Sequence, residues 1–337
     1  MKYGATITGT GSAFPQQRIT NDDIVARLKG NHIETSDRWI RERTGMCERR
    51  HSQPGNTEEQ NSTLGFKASL AALEMAGKTP DDVDQIIYAT CSPDTLILSS
   101  ACLLQHKLGA KRAWAMDINA ACSGFLYGLT TAEQFIQSGK SQTVLVVGAE
   151  VLSPFINWDD RSSCILFGDG AGAAVVERTA PDAQRRILST HVLSDGDLWE
   201  LLYVPAGGSN IEVTETVIAE KLHKLRMSGK EIFKVAVRTL EEFARKALAA
   251  NDVGIEEIDW FIPHQANRRI IEAVVKRLAL PEEKVMINVD RFGNTSAATV
   301  PTMLDQGVRS GQIQKGQLLL LDAFGAGLTY GSILMRW

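Results

Sequence analysis

A pattern written twice, about 175 residues apart, limits what this chain can fold into more than any other feature. In the first half, Gly65 to Gly77 carries Leu70, Leu73 and Met75 at helical spacing. It leads through Asp81-Asp82-Val83-Asp84 into the apolar run Gln85-Ile86-Ile87-Tyr88-Ala89. In the second, a helical pattern from about Ile232 to Ala250 leads through Glu256-Glu257-Ile258-Asp259 into Trp260-Phe261-Ile262-Pro263. Asp84 and Asp259 set the offset at 175 (259 − 84). To within about three residues, the same offset pairs Ala115-Met116-Asp117-Ile118-Asn119 before Cys122 with Ile287-Asn288-Val289-Asp290 before Asn294. It also pairs Val144-Leu145-Val146-Val147-Gly148 with Leu318-Leu319-Leu320-Leu321-Asp322. So long a period is not that of a solenoid. It implies two similar halves, 1–180 and 181–337, joined at the surface by Arg178-Thr179-Ala180-Pro181-Asp182.

Each half alternates helical patterns with short runs that are apolar at every position, the mark of strands buried between helix layers. The expected fold is therefore layered α/β, with mixed sheets and helices packed on and between them. The polar stretch from Gly207 to Gly229 is expected to be a loop with one short helix. No apolar run reaches eighteen residues, so no membrane helix is expected. The start, Met1 to Ile7, reads as a first strand rather than a signal peptide. A formal charge of −4 and a pI near 5.9 give no reason to expect nucleic acid. The five cysteines form no Cys-x-x-Cys pair, which argues against a zinc site or disulfide framework and for a reducing, cytoplasmic setting.

Among the cysteines, Cys122 alone follows a strand and a small-residue turn, Asn119-Ala120-Ala121, and opens a helical segment running to about Ser138. A thiol at a helix start feels the positive end of the helix dipole, which favours thiolate. Cys47, Cys91, Cys102 and Cys164 read as structural. His264 ends the strand Trp260–Pro263, where α/β folds place their sites. Asn294 lies in a glycine turn, and the repeat places it opposite Cys122 in two halves that face each other. Gly168-Asp169-Gly170-Ala171-Gly172 and Gly325-Ala326-Gly327 lack the spacing and the lysine of phosphate loops. Close backbone packing explains them better, with Ala326 placed to offer its N–H to a substrate oxygen.

Three segments, Asn119-Ala120-Ala121-Cys122-Ser123-Gly124, His264-Gln265-Ala266-Asn267 and Gly293-Asn294-Thr295-Ser296-Ala297-Ala298, resemble the β-ketoacyl-acyl carrier protein synthase III family of the thiolase fold. Trp39 to Gly45, Phe167 to Ala173 and Phe324 to Gly327 extend the likeness over nearly the whole chain. The resemblance implies a layered αβαβα architecture and a cofactor-free, metal-free reaction. Cys122 would take an acyl group from acyl-CoA. Malonyl-acyl carrier protein would then lose carbon dioxide, and its carbanion would attack the thioester. His264 and Asn294 would stabilise the enolate, and the N–H groups of Cys122 and Ala326 would form an oxyanion hole. Trp39, Arg43 and Arg161 match CoA-binding positions. Gln265, Ala266, Asn267, Arg268, Arg269, Lys276 and Arg277 match the carrier-protein docking face. Ile97 and Phe233 match the acyl pocket. The family also implies a homodimer, whose far subunit closes the pocket with the loop Asp94 to Ser99. Ile97 stands where many members carry a larger aromatic, so a starter near eight carbons is expected in place of acetyl.

Two other readings use the same residues. One is a Cys-His-Asn condensing enzyme of polyketide or aryl-ketone metabolism; the other is a non-catalytic partner protein of the same fold. A biosynthetic thiolase would need a second cysteine near the C-terminus, and the last one here is Cys164.

Overall fold

The computed structural model describes residues 2–337. Nine strands form its two main sheets: β1 (Gly4–Ala13), β2 (Gln85–Ala89), β3 (Trp114–Ile118), β4 (Thr143–Glu150), β5 (Gly170–Thr179), β6 (Arg186–Ser194), β7 (Trp260–Pro263), β8 (Leu318–Gly325) and β9 (Thr329–Arg336). The first sheet runs β1-β5-β4-β2-β3 and the second β7-β8-β9-β6. In each sheet the strands nearest one edge are parallel and the rest antiparallel.

Six helices cover these sheets: α1 (Asn61–Ala76), α2 (Ser100–Leu108), α3 (Gly124–Gln137), α4 (Gly229–Ala249), α5 (Arg268–Leu278) and α6 (Thr299–Arg309). Helices α1 and α2 pack on the outer face of the first sheet, and α4 and α5 on the outer face of the second. Between the sheets lie α3 and α6, each touching strands of both. Five layers result. The core divides accordingly. Phe125, Leu129, Val146, Leu304, Leu321 and Ile333 fill the middle, while separate clusters lie under each outer pair of helices. Their apolar runs, Val144 to Val147 and Leu318 to Leu321, let β4 and β8 be buried on both faces, and every residue of each strand is buried.

The repeat is visible in hydrogen bonds. Asp84 N–H donates to Thr143 O, and Asp84 Oδ2 accepts from Thr143 N–H; Asp259 makes the same two bonds with Leu318. One expected strand is absent. Ile287 to Asp290, matched by sequence to β3, forms no ladder. Only a single bridge, Phe261 with Val285, marks the fifth position, and the chain then turns into the short helix Val289–Phe292. That leaves four strands in the second sheet. The stretch Gly207 to Gly229 holds the short helix Glu215–Ala219, as expected. It also holds Arg226–Met227, which pairs with Leu202–Tyr203 in a ribbon.

Candidate active site

Both middle-layer helices, α3 and α6, begin beside one another, each after a single 3₁₀ turn: Ala121–Ser123 and Ser296–Ala298. Ala121 (φ 43) and Ser296 (φ 50) occupy the left-handed region that a residue with a Cβ seldom adopts. Each N–H donates to the side-chain oxygen of an asparagine two positions earlier, Asn119 at 3.3 Å and Asn294 at 2.8 Å. The structural partner of Asn294 is thus Asn119, and that of Cys122 is Ala297. Sequence matching had paired Cys122 with Asn294; the true register differs by three residues, because the tolerance of that match was itself three.

Cys122 lies within the 3₁₀ turn that leads into α3 and is 6% exposed. Two bonds tie this turn to β9, from Ser123 Oγ to Thr329 O and from Thr329 Oγ1 to Ala120 O. The helix start was expected to favour thiolate, but burial outweighs it and pushes the thiol up to about 12. The Ser296 hydroxyl and the residue's own N–H oppose that shift, while Glu150 adds to it.

His264 follows β7, its N–H donating to Asp322 O at 2.7 Å. Burial alone lowers its imidazole to about 3, so the ring is neutral at any physiological pH. Nδ1 is 2.6 Å from Thr299 Oγ1. Asn294 is held by its backbone, N–H to Leu166 O and O from Gly168 N–H, and by its Oδ1 bond. The carbonyl end of the amide is therefore committed, leaving the NH₂ end as its donor.

Cys122, His264, Asn294, Phe233 and Ala326 line one cavity of about 720 Å³, with Trp39 and Arg43 also on its wall. Gly325 brings Ala326 to the nucleophile by close approach. A Cβ on Gly325 would lie 2.6 Å from Cys122 N, so only glycine lets the two backbones meet. Gly168 has the same reason, since a Cβ there would lie 2.2 Å from Phe292 O.

At the outer part of the site, the Arg161 guanidinium stacks 4.4 Å above the Trp39 ring, and that of Arg43 is 5.8 Å from it. The expected sandwich of an adenine between Trp39 and Arg161 needs that stack to open by about 3.5 Å, the thickness of an aromatic ring. Of the expected docking residues, Gln265 is corrected. It is wholly buried, donating from Nε2 to Pro263 O and Met286 O and accepting from the N–H groups of Asn288 and Val289. No partner can touch it. Asn267 caps α5 through its Oδ1 and holds Arg43 O through Nδ2. Arg268 and Arg277 are paired with Glu272 and Glu241, whereas Ala266, Asn267 and Arg269 line the cavity and Lys276 lies in the last turn of α5. Ile97 is fully exposed and lies outside the cavity of its own chain. Sequence reading missed Leu202, Met227, Lys230 and Lys234 on the cavity wall, and Ser296 and Thr299 beside the reacting side chains. For Ser296 a signal existed, its offset of 175 from Ala121 (296 − 121).

Residues 116–196 match the model of 3-oxoacyl-[acyl-carrier-protein] synthase III, and residues 248–337 match the model of its C-terminal part. A β-ketoacyl-[acyl-carrier-protein] synthase III of Xanthomonas campestris is 49% identical over 331 residues, 98% of each chain. The chain belongs to the β-ketoacyl-acyl carrier protein synthase III family. Its fold is the thiolase fold, two similar halves in αβαβα layers. The crystal structure of 3-oxoacyl-[acyl-carrier-protein] synthase III from Aquifex aeolicus superposes with a TM-score of 0.89 at 43% identity, covering 99% of this chain and 100% of that one. A priming β-ketosynthase of a polyketide pathway also has a TM-score of 0.89, at 34% identity, covering 99% and 97%.

Proposed function

We propose that this protein catalyses the decarboxylative condensation of an acyl-CoA starter with malonyl-acyl carrier protein, initiating fatty-acid synthesis in the cytoplasm. The observation that carries the reading is the single cavity shared by Cys122, His264, Asn294 and Ala326. Cys122 Sγ attacks the starter thioester, and the thioester it forms conserves the energy of the incoming bond. The N–H groups of Cys122 and Ala326 receive the charge of the tetrahedral adduct.

In the second step carbon dioxide leaves the malonyl group, and charge builds on its thioester oxygen. The imidazole of His264, neutral because it is buried, and the NH₂ of Asn294 are the donors for that oxygen. Thr299 sets which imidazole nitrogen is protonated. The Thr299 hydroxyl stands between His264 Nδ1 at 2.6 Å and Ser296 O at 3.0 Å. Since Ser296 O already accepts the Thr299 N–H, the hydroxyl's one proton is assigned to the nearer Nδ1. Donation to Nδ1 leaves the proton on Nε2, facing the substrate. The chain's own residues supply every step.

Arg43, Trp39 and Arg161 form the CoA end of the site, and Ala266 to Arg269 with Lys276 the face for an acidic carrier protein. The enzyme acts as a homodimer. Strand β3 is a free sheet edge with Trp114 exposed, and Asp117 on it binds Ser99, Ser100 and Ala101 at the end of the loop that carries exposed Leu96, Ile97 and Leu98. An apolar edge of this kind needs cover.

Incubation with acetyl-, butyryl- and octanoyl-CoA, followed by intact mass, tests the first step. Release of carbon dioxide from malonyl-carrier protein tests the second. No acyl adduct from any donor would defeat the reading. The likeness to the polyketide-priming enzyme favours a second reading with another starter, which the products of the same panel separate.

A further inference from the structure

A buried carboxylate that the reaction above does not use lies directly beneath the nucleophile. Glu150 ends β4 and is wholly buried. Five donors converge on it: the hydroxyls of Thr90 (3.1 Å), Ser92 and Ser296 (3.0 Å), and the thiol (3.3 Å) and N–H (3.2 Å) of Cys91. Thr90 Oγ1 also accepts from Asn61 Nδ2 and Ser92 N–H, and Ser92 Oγ from Val151 N–H, so their own protons are free to point at Glu150. A shell made only of donors fits an ionised carboxylate, which can only accept. A cation is not part of that shell. Burial raises the carboxyl and the donors oppose it without cancelling it, which leaves Glu150 a stronger base than an exposed carboxylate.

The Ser296 hydroxyl donates to Glu150 Oε1, and the turn that carries it packs directly on the turn that carries Cys122, where it acts on the thiol. We propose that Glu150 takes up the thiol proton of Cys122 through the Ser296 hydroxyl as the acyl group is transferred. The Cys122 S–H proton passes to Ser296 Oγ while the Ser296 proton passes to Glu150 Oε1. The Sγ electron pair forms the new bond to the acyl carbonyl carbon, and the bond from that carbon to the CoA sulfur breaks. The departing thiolate takes the proton back by the reverse path, leaving Glu150 ionised. His264 does not serve this step, because Nδ1 is engaged by Thr299 and Nε2 is assigned as the donor of the second step. The other titratable groups around the pair are Cys91, which binds Glu150 and lies near Cys122, Tyr88, which feels the Glu150 charge, and His264 across the cavity. Each of them is neutral through the physiological range, Tyr88 and Cys91 being raised and His264 lowered.

One proton shared within such a pair gives a thiolate population that does not follow bulk pH. The test is alkylation of Cys122 by iodoacetamide between pH 6 and 8, read peptide by peptide to separate it from Cys47, Cys91 and Cys102. The wild-type rate should be nearly flat. In Glu150→Gln the acceptor is gone and the proton must leave to solvent, so the rate should climb about tenfold per pH unit. In Ser296→Ala the acceptor stays and only the path is lost, so the alkylation profile should remain flat while acylation of Cys122 slows; the variant should fold, because Ala121 already occupies the matching left-handed turn. A wild-type rate that climbs tenfold per unit, a Glu150→Gln rate as flat as wild type, or wild-type acylation by Ser296→Ala would overturn the proposal. It rests on Cys122 being the nucleophile. Alkylation, however, reports the thiolate whatever acyl donor the enzyme takes, so a failed acyl-CoA panel and a failed relay are separately visible.

Discussion

Replacing Gly325 by alanine should slow acylation of Cys122 far more than it unfolds the protein. The added Cβ would lie 2.6 Å from Cys122 N, 3.1 Å from Ser123 N and 3.2 Å from Cys122 Cα, all of it backbone. Ordinary contact begins near 3.4 Å, so the two strands of backbone must part by about 0.8 Å. None of the atoms it meets is the end of a flexible side chain. The turn at Cys122 is tied to β9 by Ser123 and Thr329, so most of the movement falls on Gly325 and Ala326. A displacement of about 1 Å at a reacting centre costs about a hundredfold in rate, while overpacking costs about 1–3 kcal/mol in stability. Gly30→Ala is the control, since a Cβ there meets nothing within 4 Å. The assay is the rate of acyl-enzyme formation by rapid-quench mass spectrometry, beside thermal unfolding of each variant. Wild-type acylation by a folded Gly325→Ala protein would refute the idea that Ala326 must touch the nucleophile's turn.

Other outcomes follow from the same geometry. Cys122→Ser should carry no acyl mass after exposure to acyl-CoA, whereas Cys91→Ser and Cys164→Ser should acquire it, as read by intact mass. Thr299→Val removes the hydroxyl that fixes the His264 tautomer, so carbon dioxide release from malonyl-carrier protein should fall by about tenfold or more while acylation changes less; equal loss in both steps would count against it. His264 has its folded pKa lowered to about 3 from 6.5, so its contribution to stability is complete above pH 6.5 and is lost as pH falls toward 3. At pH 4.5 that loss is about 2.7 kcal/mol, and chemical denaturation of His264→Ala should show a correspondingly shallower decline between pH 6.5 and 4.5. Ile97→Phe should shift kcat/KM from octanoyl- toward acetyl-CoA only if a partner subunit brings this loop to the pocket, because Ile97 lies outside the cavity of its own chain. A monomer by light scattering would remove the basis for that shift.

Much of this protein was legible in one sequence because its physics is periodic. Runs such as Val144 to Val147 and Leu318 to Leu321, apolar at every position, can only be strands covered on both faces. Their repetition with Asp84 and Asp259 at matching starts implied two halves and a layered fold. Cys122, His264 and Asn294 stood out because each follows a strand or turn that opens toward a helix. What the tertiary structure alone decided depends on atoms far apart in the chain. Register within three residues cannot say that Asn119, and not Cys122, is the counterpart of Asn294; hydrogen bonds to Ala121 and Ser296 do. The dipole of α3 argues for thiolate, yet burial by residues from both halves holds the thiol near 12. Gln265 reads as a surface residue before a basic helix, but β7 and the turn at Asn288 enclose it and satisfy its amide. Glu150 looks like the polar end of a strand. Only packing against Ser296, 146 residues away, puts it under the nucleophile, because burial and a shared proton belong to neighbours in space.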